Sequence, residues 1–365
     1  MTDSLPEWAF AAALAALPLQ THHRLRRVLT GRTPREAWNE MRETTHSRGG
    51  VSPEAWTAWR QVHSHFVEEI FEDCQSTNVS VITRSDTTYP RQLLLDVEAP
   101  AVLFVSGNLP TNSVRRVGIV GTRSATQFGK HFAKQLGREL ASHGISVVSG
   151  LARGIDVEAH DGALQVRDGG APLAVVAGGP NVVYPREHRG IWKSMEDRGA
   201  IISEYPPHRK PEAYRFPLRN RILAGVSEVL VVVESRSTGG SMLTVNEAIK
   251  RGVTVMAVPG SPHVVPSEGT NGLLRDGCAP VTDVNDVLVA LGLDTQRCTG
   301  SGDVRPPLSA QHLLVIDVMR DRPRTTDEIS LLLGQSLVDC AVMLGRLEEQ
   351  GWVAQSDGWW EALTR

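Results

Sequence analysis

The sequence predicts an α/β protein: an extended Rossmann-like, mostly parallel sheet flanked by a small N-terminal helical domain and a C-terminal winged helix. Three observations carry this. Between residues 76 and 293 lie short, β-branched, nearly continuous apolar runs: "VSVIT", "AVLFVSG", "RVGIVG", "ISVVSG", "PLAVVAGG", "AIISEY", "EVLVVVES" and "TVMAVPG". Helical patterns over 129–143, 155–166, 187–198 and 243–251 separate several of them. Before and after this region the pattern is helical. Continuous apolar strands alternating with helices mean a sheet covered on both faces.

Residues 1–75 carry apolar side chains at three-and-four spacing over 8–17, 23–29, 33–41 and 55–71, with breaks at Pro18, Gly31, Gly49 and Gly50. Thr33, Pro34 and Glu36 form a helix start: a capping hydroxyl, a Pro in the first turn and a Glu three residues after the cap. The Rossmann-like domain takes residues 76–293. Residues 294–308, which include "TQRCTGSGDVRPP", have little to bury and read as a linker. From 309 to 365 the order is helix ("AQHLLVIDVMR"), turn, helix ("TTDEISLLLG"), helix ("SLVDCAVMLGRLEEQG") and a short hairpin ("WVAQSDGWWEAL"), the order of a winged helix-turn-helix.

At 365 residues the chain has room for more than one domain and a large core. A hydrophobic content of 41% and a charged content of 22% are those of an ordinary soluble protein. The formal net charge of −3 argues against a uniformly basic nucleic-acid coat but leaves room for a local basic patch. Most basic residues are Arg, which suits bidentate phosphate contacts but follows equally from GC-rich codon usage. Cys74, Cys278, Cys298 and Cys340 are scattered, without a C-x-x-C pair, as in reduced cytosolic proteins. The apolar run "WAFAAALAALPL" follows Asp3 and Glu7 rather than a basic segment and is too short to span a bilayer. The expected setting is therefore cytoplasmic, with no membrane partner. His22, His23, His63 and His65 lack a carboxylate or Cys partner at metal spacing, and neither a metal site nor a cofactor is expected.

In an open parallel sheet, ligands bind at the carboxyl ends of the strands. Gly121, Thr122, Arg123 and Ser124 follow one strand, and Ser149, Gly150, Arg153 and Gly154 follow the next. Further on come Tyr184 and Arg186, then Arg219, Asn220 and Arg221 in "FPLRNRILAG", then Arg236, Gly240 and Ser241 before a helix. Glycines let backbone N–H groups approach an anion, helix N-termini add positive potential, and arginines bring guanidinium forks. Together they predict a phosphate site on one edge of the sheet. A dinucleotide is disfavoured: Gly118 and Gly121 lie within or at the end of a strand, and the next strand ends in Ser149 and Gly150 rather than an acid. No Walker lysine follows any loop, so NTP hydrolysis is disfavoured too. Asp156, Glu204 and Glu234 are the nearby acids, Asp156 reading as a partner of its own turn and Glu234 as an orienter of arginines. His160 reads as packing behind the loop. No nucleophile–base pair can be named, and no catalysis is expected.

The segments "VGIVGTRSATQFG", "VVSGLARGIDVEAHDGAL", "VVAGGPNVVYPREH", "IISEYPP", "FPLRNRILAG", "STGGSMLT" and "VMAVPGSP…EGTNGLLRDGCAPV" resemble, in this order, those of the DNA-processing protein A (DprA/Smf) family. "YPRQLLLDVEAPAVLFVSGNL" is similar to that family's lead-in, so the resemblance covers roughly residues 80–290. The N-terminal helices resemble the SAM or helix-hairpin-helix-like domain often attached to it, and the tail its winged helix. The resemblance implies a homodimeric single-stranded DNA-binding protein that protects incoming DNA and loads the recombinase RecA during natural transformation. It places the G-[ST]-R arginine at Arg123, the basic residue after Tyr-Pro at Arg186, the R-N-R triplet at Arg219 to Arg221, and the Gly-rich turn at Gly150, Arg153 and Gly154. Phe128 stands where an aromatic, commonly Tyr, is usual, and Glu247 where an apolar residue is common. With dimerisation implied, residues 271–274 and 287–293 are the apolar stretches expected at the interface.

Two other readings stand beside this one. Gly239 and Gly240 followed by Thr244 and Glu247 distantly resemble the G-G-x-G-T-x-x-E motif of Rossmann-like nucleoside-monophosphate phosphoribohydrolases, although the spacing differs. A nucleotide-sensing regulator would instead use the winged helix to read duplex DNA. Its recognition helix, however, carries Asp339, Glu348 and Glu349 against Arg346, and a helix entering the major groove needs basic or amide side chains. The tail therefore reads as a protein-interaction module, with Trp352, Trp359 and Trp360 as core or interface residues.

Overall fold

The computed structural model describes residues 4–44, 50–293, 308–356 and 358–363. The predicted linker lies outside these apart from its last residue. The chain divides into two compact units: residues 1–125 with 129–293, and residues 126–128 with 294–365.

The first unit opens with helices α1 (Glu7–Ala16), α2 (His22–Leu29), α3 (Pro34–Glu43), α4 (Pro53–Arg60) and α5 (Phe66–Ser76). The apolar run of α1 is buried from Ala9 to Leu14, which makes it a core helix. Thr33 caps α3 in a full capping box with Glu36. The sequence pattern predicts one helix over 55–71, but the structure breaks it between α4 and α5. The face that buries Trp56 and Trp59 would next present His63, which instead stays exposed and pairs with Glu69 at 2.8 Å.

The sheet follows: β1 (Val79–Thr83), α6 (Arg91–Leu94), β2 (Val102–Gly107), β3 (Arg116–Val120), α7 (Gln127–Ser142), β4 (Ser146–Ser149), α8 (Ile155–Leu164), β5 (Leu173–Val175), α9 (Arg189–Arg198), β6 (Ala200–Ser203), α10 (Arg215–Val226), β7 (Val229–Val232), α11 (Gly240–Lys250), β8 (Thr254–Ala257), α12 (Glu268–Arg275), β9 (Ala279–Pro280) and α13 (Val284–Ala290). The strand order is β1-β2-β6-β5-β4-β3-β7-β8-β9. All pairings are parallel except β1 with β2 and β2 with β6. Every predicted strand is present. One face packs Val120, Val148, Ile222, Val232 and Val245 beneath α10 and α11, and the other packs Ile119, Val147, Leu136, Ile155 and Val231 beneath α7 and α8. The N-terminal helices share a core with Val79, Val102 and Phe104 of β1 and β2.

The structure bears on two expectations here. "FPLRNRILAG", expected to bring Arg219, Asn220 and Arg221 to one edge of the sheet, lies within α10 and is buried continuously from Arg219 to Val226. A helix buried on all sides has no polar face to mark its period in the sequence. The apolar stretches expected at a dimer interface mostly turn inward: Leu273, Val287, Leu288 and Leu291 are buried, and the Asn271 side chain bonds the backbone of Gly260. Val289 remains 65% exposed.

The second unit contains α14 (Ala310–Asp317), β10 (Arg324–Thr325), α15 (Thr326–Leu333), α16 (Leu337–Glu349), β11 (Val353–Ser356) and β12 (Trp359–Ala362). Its strands pair antiparallel in the order β10-β12-β11. Val315, Met319, Ile329, Leu344, Leu347 and Trp360 form its own core. Among the described residues no single helix is long and apolar enough to cross a membrane.

His160 on α8 is fully buried, and among the described residues neither ring nitrogen has a hydrogen-bond partner. Burial pushes its pKa from 6.5 down to about 3, so the ring is neutral in the fold. The unfolded chain binds a proton below pH 6.5 that the folded protein refuses. The stability from this group is therefore complete above pH 6.5 and is lost as pH falls, by about 2 kcal/mol at pH 5. Replacing His160 with Leu removes that slope. Urea midpoints at neutral pH and near pH 5 should diverge less in His160→Leu than in the parent protein; equal divergence would show that the ring does not titrate in this way.

Candidate nucleic-acid interface

A cavity of about 50 Å³ opens above the carboxyl ends of β3, β4 and β5. Arg123 reaches it from the loop after β3, Gly150, Ala152 and Arg153 from the loop after β4, and Val176, Gly178, Val182 and Tyr184 from the segment after β5. Trp192, Pro211 and Phe216 complete the wall. The lining is mostly apolar and aromatic, with guanidinium groups at the mouth.

The turn after β4 is held rigidly from below. Asp156, in the first turn of α8, accepts the Gly150 N–H at 3.2 Å and is 6% exposed. From α10, Arg219 donates to the carbonyls of Gly150 and Val175 and, through Nε, to Asn220 Oδ1 at 3.2 Å. Gly150 leaves room for the Arg219 guanidinium, whose Nη1 would lie 2.4 Å from a Cβ there. Gly154 takes φ of 77°, and a Cβ would lie 2.3 Å from the Thr122 carbonyl. Between them Leu151, fully buried, adopts the left-handed region at φ of 53°, which costs a non-glycine residue about 1–2 kcal/mol. Its carbonyl lies 3.0 Å from His188 Nδ1. Such strain is stored where surrounding structure over-determines a functional turn.

Burial raises the Asp156 carboxyl to about 6, against the pull of Arg219 and of the Gly150 and Ala152 N–H groups. Burial likewise lowers Arg219 to about 10, with Asp156 opposing. Both stay charged at neutral pH, as an internally compensated pair.

The structure thus redistributes the predicted residues. Arg123, Gly150, Arg153 and Tyr184 line the cavity, and Arg186 is exposed just beyond Tyr184. Arg219 and Asn220 face inward as supports of the turn. Arg221, also buried, pairs with Glu204 at 2.5 Å. Ser149 is buried and donates to the Ile119 carbonyl at 2.6 Å. Gly121 packs against Ile155, and Thr122 Oγ1 accepts the Ser124 N–H at 3.3 Å. Gly240 and Ser241 open α11 outside the cavity lining, with Ser241 donating to Ser235 Oγ at 2.7 Å.

The two expected anion positions already hold carboxylates. Glu234 sits against the first turn of α7, where a Cβ on Gly129 would lie 2.4 Å from its carboxyl carbon. Asp156 takes the Gly150 N–H that would otherwise face a ligand. A phosphate here must therefore be met by guanidinium groups. Arg153 is 64% exposed along its side chain and pairs with Glu187 at 2.5 Å. The Arg123 guanidinium lies over the Phe216 ring, 5.2 Å from its centroid, and Tyr184 packs beside that ring at 5.6 Å and 50°. Phe216 is the cavity-lining residue that sequence reading missed. Its signal was the aromatic three residues before Arg219, which joins the cavity only because α10 crosses beneath it.

The family model of DNA recombination-mediator protein A matches residues 80–292. Protein Smf of Escherichia coli (strain K12) is 33% identical over 298 residues, 80% of this chain and 79% of its own. The DNA processing protein DprA of Bacillus subtilis is 36% identical over 214 residues, 58% of this chain and 71% of its own. The X-ray structure of DNA processing protein A from Streptococcus pneumoniae superposes with a TM-score of 0.66 at 27% identity, covering 78% of this chain and 98% of that one. DNA processing protein A of Helicobacter pylori, solved for its single-stranded DNA binding mode, superposes at 0.52 with 26% identity, covering 58% and 95%.

The supports and the mouth should separate by mutation. Arg219→Leu leaves Asp156 buried and uncompensated and is expected to cost about 3–5 kcal/mol in urea unfolding. Adding Asp156→Asn should recover part of it. Arg123→Ala, at the surface, should stay within about 0.5 kcal/mol of the parent protein. Equal losses for Arg219→Leu and Arg123→Ala would contradict the assignment.

Proposed function

The chain belongs to the DNA recombination-mediator protein A family, and from that premise we propose that it binds single-stranded DNA, protects incoming strands and loads RecA during natural transformation and recombination. The observation that carries the DNA-binding step is the cluster of Arg123, Phe216 and Tyr184 at the cavity, with the guanidinium over one ring and the second ring tilted beside it. An unpaired base offers a π face to such rings, whereas in a duplex both faces are covered by neighbouring bases. Arg123, Arg153 and Arg186 lie within reach of the backbone that would carry that base. Single-strand preference follows from this pairing of aromatic wall and guanidinium rim. Loading of RecA and assembly as a homodimer belong to the same proposal and rest on the family resemblance.

Turnover is not part of it. Glu247, the residue a nucleotide hydrolase would need, pairs with Lys250 at 2.8 Å and with Arg251 at 2.5 Å. It borders a separate hollow with Pro217, Leu243 and Ile249, away from the cavity.

Fluorescence-anisotropy titration with a labelled single strand and its duplex, over a range of salt, tests the reading. The parent protein should prefer the single strand, with log affinity falling against log salt by about 0.7 per phosphate contact. Arg123→Ala and Arg186→Ala should each weaken binding and flatten that slope by about 0.7. Tyr184→Ala or Phe216→Ala should cost about 1–3 kcal/mol and leave the slope unchanged. Equal binding of duplex and single strand, or indifference to all four changes, would sink the proposal.

Glu187 competes with a phosphate for Arg153. Glu187→Gln should therefore tighten single-strand binding about two- to fivefold, the range of a surface ion pair, and the gain should vanish in an Arg153→Ala background. Weaker binding by Glu187→Gln would show that the pair supports the site instead.

A further inference from the structure

Helix α16 presents two faces of different kinds. Cys340, Met343, Leu344 and Leu347 are buried in the core of its unit. The opposite face carries Val338, 70% exposed, and Val342, 50% exposed, followed by Gly345 and Glu349. These positions recur at spacings of four, three and four residues, the seam of a helix that packs on another helix. Gly345 is the telling member. It lies inside the helix, where Gly weakens the structure relative to Ala, and a Cβ there would meet nothing within 4 Å. Among the described residues its own unit gives no packing reason for the missing side chain. Close approach by something outside the unit does.

The charges indicate what approaches. Asp339 and Arg346 each follow a seam residue by one position and so lie on the same flank of the stripe. When two copies of a helix pack antiparallel, like flanks meet, and Asp339 of each copy faces Arg346 of the other. A parallel pair would instead set Arg346 beside Ala341. In the antiparallel arrangement, Val342 of one copy enters the space above Gly345 of the second. DNA fits the same face poorly, because Asp339, Glu348 and Glu349 outnumber its single basic side chain, Arg346.

We propose that α16 is a self-association surface, docking antiparallel on α16 of a second copy of this chain through Val338, Val342 and Gly345, with reciprocal Asp339–Arg346 ion pairs. This contact is distinct from any pairing of the sheet-bearing units, so a protein that pairs through both would form assemblies larger than dimers on one strand.

Cross-linking of the full chain tests it. In a Cys278→Ser, Cys298→Ser background, Val342→Cys is treated with a short bis-maleimide. The expected result is a covalent dimer as the main product, unaffected by duplex oligonucleotide. Leu331→Cys, which replaces a residue 85% exposed on α15, should give only collisional yields. Adding Asp339→Arg to Val342→Cys should cut the yield about tenfold, corresponding to about 1.4 kcal/mol. Combining Asp339→Arg with Arg346→Asp should restore it. Gly345→Leu, whose Cβ would meet nothing within 4 Å among the described residues, should abolish the product while the unit's thermal unfolding is maintained. Equal yields at positions 331 and 342, or a yield indifferent to the charge exchange, would overturn the proposal. So would loss of the product on adding duplex, which would make the face a DNA contact.

Discussion

Asp156 and Arg219 grip one peptide turn from opposite sides. The carboxylate takes the Gly150 N–H, the guanidinium takes the Gly150 carbonyl, and both partners are buried. Neither charge is tolerable there without the other, because desolvation of an isolated ion far exceeds what a single hydrogen bond returns. Once paired, they fix a turn that contains a left-handed Leu151 and a glycine with no room for a side chain. Everything at the mouth of the cavity depends on that turn. It sets where Arg153 emerges, where Glu187 can meet it, and how Gly154 packs on the loop that carries Arg123.

The same interaction explains the chemistry offered to a ligand. In many Rossmann-like proteins, backbone N–H groups at the switch point of the sheet receive a phosphate. Here the chain leaves β6 and returns beside β3 as β7, so the switch lies between β3 and β7. That position holds Glu234, and the neighbouring turn holds Asp156. The open cavity is displaced toward β4 and β5, where the lining is aromatic and apolar. A compact anion buried among backbone donors is disfavoured by this arrangement. A chain of bases and phosphates, with rings to stack and charges to leave at the rim, is well matched to it.

The rest of the first unit protects this centre. The N-terminal helices pack their apolar residues on β1 and β2, which covers the antiparallel end of the sheet and shields strands that would otherwise invite pairing. Arg251 at the end of α11 binds Asp96, Glu98 and Glu247 together at 2.5 to 2.7 Å, tying the loop before β2 to the helix layer of α10 and α11. The second unit has its own small core and leaves an apolar seam outward, the opposite of what a groove-reading helix requires.

The strands were legible because each is a continuous β-branched run, and a strand buried on both faces needs little more than that. The Thr33 capping box was legible because it is local, as was the glycine at 154, whose positive φ belongs to a tight turn. The membership of Arg123, Arg153 and Tyr184 in one cavity could be anticipated from their places after successive strands. The inward course of α10 could not. Buried continuously from Arg219 to Val226, it lacks there the polar face that marks a helix, so Arg219 and Arg221 read like the surface arginines they resemble in composition. Which carboxylate meets which arginine was likewise decided only by tertiary structure: Asp156 and Arg219 are far apart along the chain, and only the packing of α10 under the turn brings them together. A residue type states what interactions are available. Burial and partner decide whether that capacity is spent inside the fold or kept for a ligand.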